Sequence, residues 1–139
     1  MAVSGVMWNI GEKMDTSKEY IKMCEKAIEI QKLWRMKPKH DFFVFKKDYS
    51  LPECPSCCYT EHSSQRLENF IWLPRQDQLQ SFIIPDFSGT YWVIDQFFHW
   101  IRNYSGIRTF KDNTSMEKLW LWFVMNEKYQ KTWNGEDWV

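Results

Sequence analysis

Residues 114–139 hold four of the nine tryptophans in the chain, Trp120, Trp122, Trp133 and Trp138, together with Phe123 and Tyr129. Thr114-Ser115-Met116-Glu117 opens the segment as a capping box, in which a hydroxyl and a carboxylate each satisfy a free backbone N–H. The helix it starts is expected to run to about residue 131. Leu119, Trp122, Phe123, Met125 and Tyr129 define its main face, and Trp120 and Val124 make a second. Asn134-Gly135 then reads as a tight turn that folds Trp138 back beside Trp133. A helix this apolar does not stay soluble alone, so it must be the docking element of a compact core. That settles much about the fold and nothing about chemistry.

A chain of 139 residues argues for one domain. At this length roughly two-thirds of the unfolded surface can be buried, so no disulfide or metal is needed for stability. Lys+Arg and Asp+Glu are both 18, for a formal net charge of zero. That argues against a dedicated nucleic-acid binder, which carries a basic excess, and gives no electrostatic reason to sit on an anionic membrane. With aromatics at 18%, a near-neutral surface is prone to self-association, so a homo-oligomer is among the expectations. No apolar run reaches the roughly 18 residues of a membrane span, and residues 1–15 lack the basic and apolar regions of a signal peptide. Three of the four cysteines crowd into one short loop, a poor secretory disulfide framework, which favours a reducing cytoplasm.

Residues 1–15 read as a flexible arm, with residues 16–139 as a single globular domain. Thr16 or Ser17 can cap a first helix, in which Tyr20, Ile21, Cys24, Ala27 and Ile28 follow helical spacing. Pro38 is expected to end it. Asp41 to Phe45 reads as a short strand, and Leu67 to Leu73 as a second, alternating one that pairs with it as a hairpin. Pro74 suits the first turn of a short helix over residues 75–82. Ser88 can cap a further helix over residues 90–104, whose stripe of Ile94, Phe97, Phe98, Ile101 and Tyr104, widened by Val93 and Trp100, makes it mostly buried. The expected fold class is therefore α+β: three main helices and one short helix packed with a small antiparallel hairpin.

Two segments offer chemistry. Cys54-Pro55-Ser56-Cys57-Cys58, followed by His62, supplies the C-x2-C pair that zinc needs on a tight loop, with Cys58 or His62 as further ligands. Structural zinc sites usually add a second, separated pair, and this chain has none, so a loop of free thiols is the competing reading. Apart from that zinc, no cofactor is expected. The second segment is the junction at Trp72. Arg75, Gln76 and Asp77 place donors and acceptors at a helix start, where an anion can bind, although first-turn acids are also ordinary helix design. Trp72, Arg75, Trp133 and Trp138 all lie at element ends and are the expected exposed contacts. No nucleophile elbow or other triad signature appears. Five glycines without clustering make no phosphate loop.

The blocks YIKMCEKAIEIQKLW (20–34), IWLPRQDQLQ (71–80) and residues 114–139 resemble recurrent blocks of short uncharacterised proteins of bacteriophages and prophages of Gram-positive bacteria. The resemblance implies origin and context, and carries no activity and no site. Together with the small size and the lack of a catalytic constellation, it points to a non-enzymatic phage accessory protein in the host cytoplasm that binds a host protein, with defence components among the candidates. The alternative expectation is a small-ligand or nucleotide-binding module built on Trp72, Arg75 and the C-terminal tryptophans. An enzyme is the third.

Overall fold

The computed structural model describes residues 14–35, 41–51, 67–83, 89–103 and 114–139. In chain order these form α1 (Lys18–Lys26), α2 (Ile28–Gln31), β1 (Phe42–Phe45), a 3-10 turn (Leu67–Asn69), β2 (Phe70–Leu73), α3 (Gln76–Ser81), α4 (Gly89–Asn103) and α5 (Met116–Tyr129). β1 and β2 pair antiparallel, Phe43 opposite Trp72 and Phe45 opposite Phe70. The class is α+β, as expected, with five helices among the described residues.

Ser17 caps α1, its hydroxyl accepting from the Tyr20 N–H. The fold starts earlier than the expected domain boundary, because Met14 is buried and the Asp15 carboxylate accepts from the Ser17 N–H and the Ser115 hydroxyl. These two residues of the expected arm are packed; residues 1–13 lie outside the described ones. The first helix also stops short. Ala27 takes ψ 70, outside the helical region, and its N–H is shared between the carbonyls of Met23 and Cys24. The chain restarts as α2. Ile28, which the helical spacing places inside, is 58% exposed.

α2 is tied to the hairpin. Gln31 accepts from the Trp72 N–H and donates to the Trp72 carbonyl, both at 2.9 Å. A two-stranded hairpin alone is marginal in water, and here one side-chain amide occupies backbone groups that a third strand would take. β2 begins at Phe70 rather than Leu67, and all four of its residues are buried. It is therefore a continuous apolar run, and the expected alternation is absent. Directly paired side chains share a face, which groups Phe43, Phe45, Phe70 and Trp72. Trp34 joins this group by stacking on Trp72, centroids 6.1 Å apart. Pro74 falls before α3, not in its first turn. Its carbonyl accepts from the buried Tyr20 hydroxyl at 2.6 Å.

α5 is the central element. Six consecutive residues, Trp120 to Met125, are buried, more than a full turn. Its cap is Ser115 rather than Thr114, the hydroxyl accepting from the Lys118 N–H. It closes at Gln130 in the left-handed region, with Lys131 N–H bonded to the Met125 carbonyl, a Schellman arrangement. The turn at Asn134 and Gly135 folds as expected: Gly135 has φ +100, Asn134 Oδ1 accepts from two following N–H groups, and Trp138 bridges to Trp133. α4 packs on α5 through aromatic rings, Phe97 lying flat on Trp120 at 3.9 Å. Val93, Phe97 and Trp100 are buried, but Tyr91, Trp92, Ile94 and Phe98 are exposed. The expectation of a mostly buried α4 is corrected: only one side of it meets α5.

Candidate functional site

Three of the six expected binding residues belong to the core. Trp72 is 3% exposed, sandwiched between Trp34 and the edge of Phe82. Trp133 and Trp138 are buried too. The reason is the C-terminal turn, which docks on α1: the Trp138 indole N–H donates to the Met23 carbonyl at 2.9 Å, and its ring meets Trp122 edge-on. A position at the end of an element is thus no guide to exposure in this fold. Ala substitution at these three positions addresses stability, not a contact surface.

Arg75, Gln76 and Asp77 are on the surface at the start of α3. The Arg75 guanidinium is turned onto the Asp77 carboxylate, at 2.9 and 3.3 Å, so its charge is largely met by its own neighbour. Gln78 Oε1 accepts from the Arg75 N–H, and Gln78 Nε2 donates to buried Asp41. This junction is therefore a scaffold that fixes α3 against β1. Cys54, Cys57, Cys58 and His62 lie outside the described residues. Among the described residues no group of three His, Cys, Asp or Glu side chains is placed to hold a metal ion. Cys24 is buried, and burial holds its thiol well above the usual range.

The described surface has two features that the residue patterns did not flag. One is a groove of about 500 Å³ between the α1–α2 break and the hairpin. Trp34, Phe70 and Ile71 are its buried floor, and Ile28 stands exposed at its lip. Its rim carries charges of both signs: Lys32 and Arg35 after α2, Glu25 on α1, and Lys46 and Glu68 from the hairpin side. The Tyr49 hydroxyl donates to the Glu25 carboxylate, which raises the phenol to about 12. Ile28 stands just after the break at Ala27 and is exposed; no local residue pattern signals that. The other feature is the exposed side of α4, where Tyr91, Ile94 and Phe98 recur at helical spacing. Ile94 and Phe98 belong to the stripe that the spacing predicts to be core; Tyr91 does not.

Comparison with protein-family models, with curated proteins and with solved structures found no match. Among the described residues, no helix is long and apolar enough to cross a membrane.

Proposed function

We propose that this chain is a non-enzymatic accessory protein of phage origin that acts in the host cytoplasm by binding a host protein, with defence components among the candidate targets. The groove between the α1–α2 break and the hairpin is the observation that carries this reading. It combines an aromatic floor, an exposed isoleucine and a rim of three basic and two acidic side chains. Apolar anchors ringed by charge, with Arg and aromatics prominent, are the composition of protein-recognition surfaces. Binding through it requires no reaction centre.

The volume also lies within the roughly 300–1,000 Å³ range of small-ligand clefts, and this favours a small-ligand or nucleotide reading as the second. The aromatics oppose stacking of a base there. Trp34 lies flat against Trp72, and its indole N–H is committed to Asp41 at 2.9 Å, so neither ring offers an open platform.

The test pairs wild type with Ile28→Glu and Arg35→Glu. All three are immobilised, challenged with host lysate, and checked by thermal melts. A single host protein retained by wild type, lost by both folded variants and bound again in purified form supports the reading. If no protein discriminates wild type from the variants, while a nucleotide or other small molecule shifts the melt of wild type alone, the second reading replaces it.

A further inference from the structure

α4 is apolar on two sides, and α5 covers only one of them. Val93, Phe97 and Trp100 face Trp120 and Phe123 on α5. On the other side Tyr91 is 87% exposed, Ile94 42% and Phe98 54%. Their spacing of three and then four residues makes one stripe along the helix. At about 200 Å² for a whole aromatic side chain, these exposures leave on the order of 350 Å² of apolar side chain on each copy. That is in the range of the largest patches on monomers, which are often functional.

Two charges flank the stripe on the same side, Asp95 and Arg102, both exposed. They are seven residues apart, about 10 Å along the axis, too far to pair within their own helix. Among the described residues neither takes part in an ion pair. An antiparallel helix pair related by a twofold axis brings the same flank of both helices together. With that axis beside Phe98, Asp95 of each copy lies opposite Arg102 of the other, and the two Phe98 rings meet at the centre. The surface is complementary to itself in shape of charge, as an isologous contact requires. The chain's zero net charge removes any general repulsion between copies. Two stripes with their flanking side chains bury an area near the roughly 1,000 Å² that a specific interface needs.

We infer that this side of α4 is the contact surface of a homodimer, two copies packing antiparallel through Tyr91, Ile94 and Phe98 with reciprocal Asp95–Arg102 pairs. It shares no residue with the groove assigned to partner binding, so it stands apart from that reading.

Sedimentation equilibrium of the full chain, from about one to a few hundred micromolar, tests it. The wild type is expected to show a reversible monomer–dimer equilibrium. Phe98→Glu is expected to stay monomeric with an unchanged melt, since the side chain is already exposed. Asp95→Arg and Arg102→Asp each set like charges face to face, and each is expected to weaken the dimer about tenfold or more. The double swap restores both pairs, and its Kd is expected to return to within about threefold of wild type. A wild type that remains monomeric throughout overturns the inference, whatever else the surface captures. So does a dimer indifferent to Phe98→Glu, or a double swap no tighter than the single ones.

Discussion

The side-chain amide of Gln31 pairs with both backbone polar groups of Trp72, accepting from the N–H and donating to the carbonyl at 2.9 Å each. The amide thereby substitutes for a third strand at one residue of the β2 edge. Gln31→Ala strips two partly buried backbone groups of their partner, and is expected to cost about 1–3 kcal/mol in a denaturant titration. Gln31→Glu keeps the acceptor and loses the donor, setting a carboxylate against the Trp72 carbonyl. Its folded-state pKa must then rise above the unfolded value of about 4.3. A raised carboxyl pKa favours the protonated folded form, so the deficit of Gln31→Glu should be largest at neutral pH and shrink as pH falls. A deficit that does not change with pH would show that the Trp72 carbonyl does not need the donor.

Trp138 and Trp133 face each other across the C-terminal turn, with ring centroids 5.2 Å apart, but only Trp138 has its indole N–H satisfied. Trp133 Nε1 is buried and has no hydrogen-bond partner. Replacement by Phe therefore separates them. Trp138→Phe takes the indole donor from the Met23 carbonyl, which keeps only the shared Ala27 N–H, and is expected to cost about 1 kcal/mol more than Trp133→Phe. Full truncation is far more severe. Trp122→Ala and Trp138→Ala each empty a buried aromatic site, at about 3–5 kcal/mol. A loss under about 1 kcal/mol for Trp138→Ala would mean that the C-terminal turn is not docked on α1.

Much of the short-range chemistry was legible, though the cap of α5 is Ser115 rather than Thr114. A cap at Thr16 or Ser17, a strand over Asp41 to Phe45 and the Asn134-Gly135 turn were readable, because capping, strand-forming side chains and positive φ are local demands; the structure takes Ser17 and Phe42–Phe45. The central role of α5 followed from the crowding of tryptophans and other aromatics in residues 114–139, which does not stay soluble alone. The break at Ala27 was not readable, since alanine is the best helix former; the segment that restarts after it is held by Gln31 to the backbone of Trp72, 41 residues further on. Contacts from outside the local pattern also explain the failed surface residues. Trp72, Trp133 and Trp138 occupy element ends, and the groups that cover them come from other elements: Trp34 and Phe82 for Trp72, and α1 for the C-terminal turn. The groove inherits this blindness, because Ile28 stands exposed just after the break. The α4 stripe had the opposite fault: its period was clear, but periodicity cannot say which of two apolar sides is covered.

Asp15 ties the start of the described fold to the head of α5. Burial alone would raise its pKa, but hydrogen bonds from Ser115 and Ser17, with Lys118 nearby, outweigh it and hold the carboxyl below 3.8. A depressed folded-state pKa contributes stability above the unfolded value and loses it as pH falls through the folded one. Asp15→Asn is expected to cost about 1 kcal/mol at pH 5–7. The gap to wild type should narrow only below about pH 4. Urea titrations of the two proteins at pH 7, 5, 4 and 3 check the sign. A gap that widens toward acid would contradict the assignment.

Asp41 is the buried charged residue of the described core, and it receives the Trp34 indole N–H on Oδ2 and the Gln78 amide on Oδ1, both at 2.9 Å. Gln78 in turn accepts from the Arg75 N–H at 3.0 Å. One carboxylate thus joins the segment after α2, the start of β1 and the start of α3. Asp41→Ala leaves two donors unmet and is expected to cost about 2–4 kcal/mol. Asp41→Asn is the more telling change. Its carbonyl oxygen can serve one donor, but its own NH2 must then face the other, donor against donor. If Asn keeps Gln78, the conflict falls on Trp34, and removing that N–H should relieve it. Trp34→Phe in the Asp41→Asn background is therefore expected to cost about 1 kcal/mol less than it does in wild type. If Gln78 bears the conflict instead, Gln78→Ala should show the coupling and Trp34→Phe should not. Strict additivity in both cycles would mean that Asp41 does not bridge the two donors.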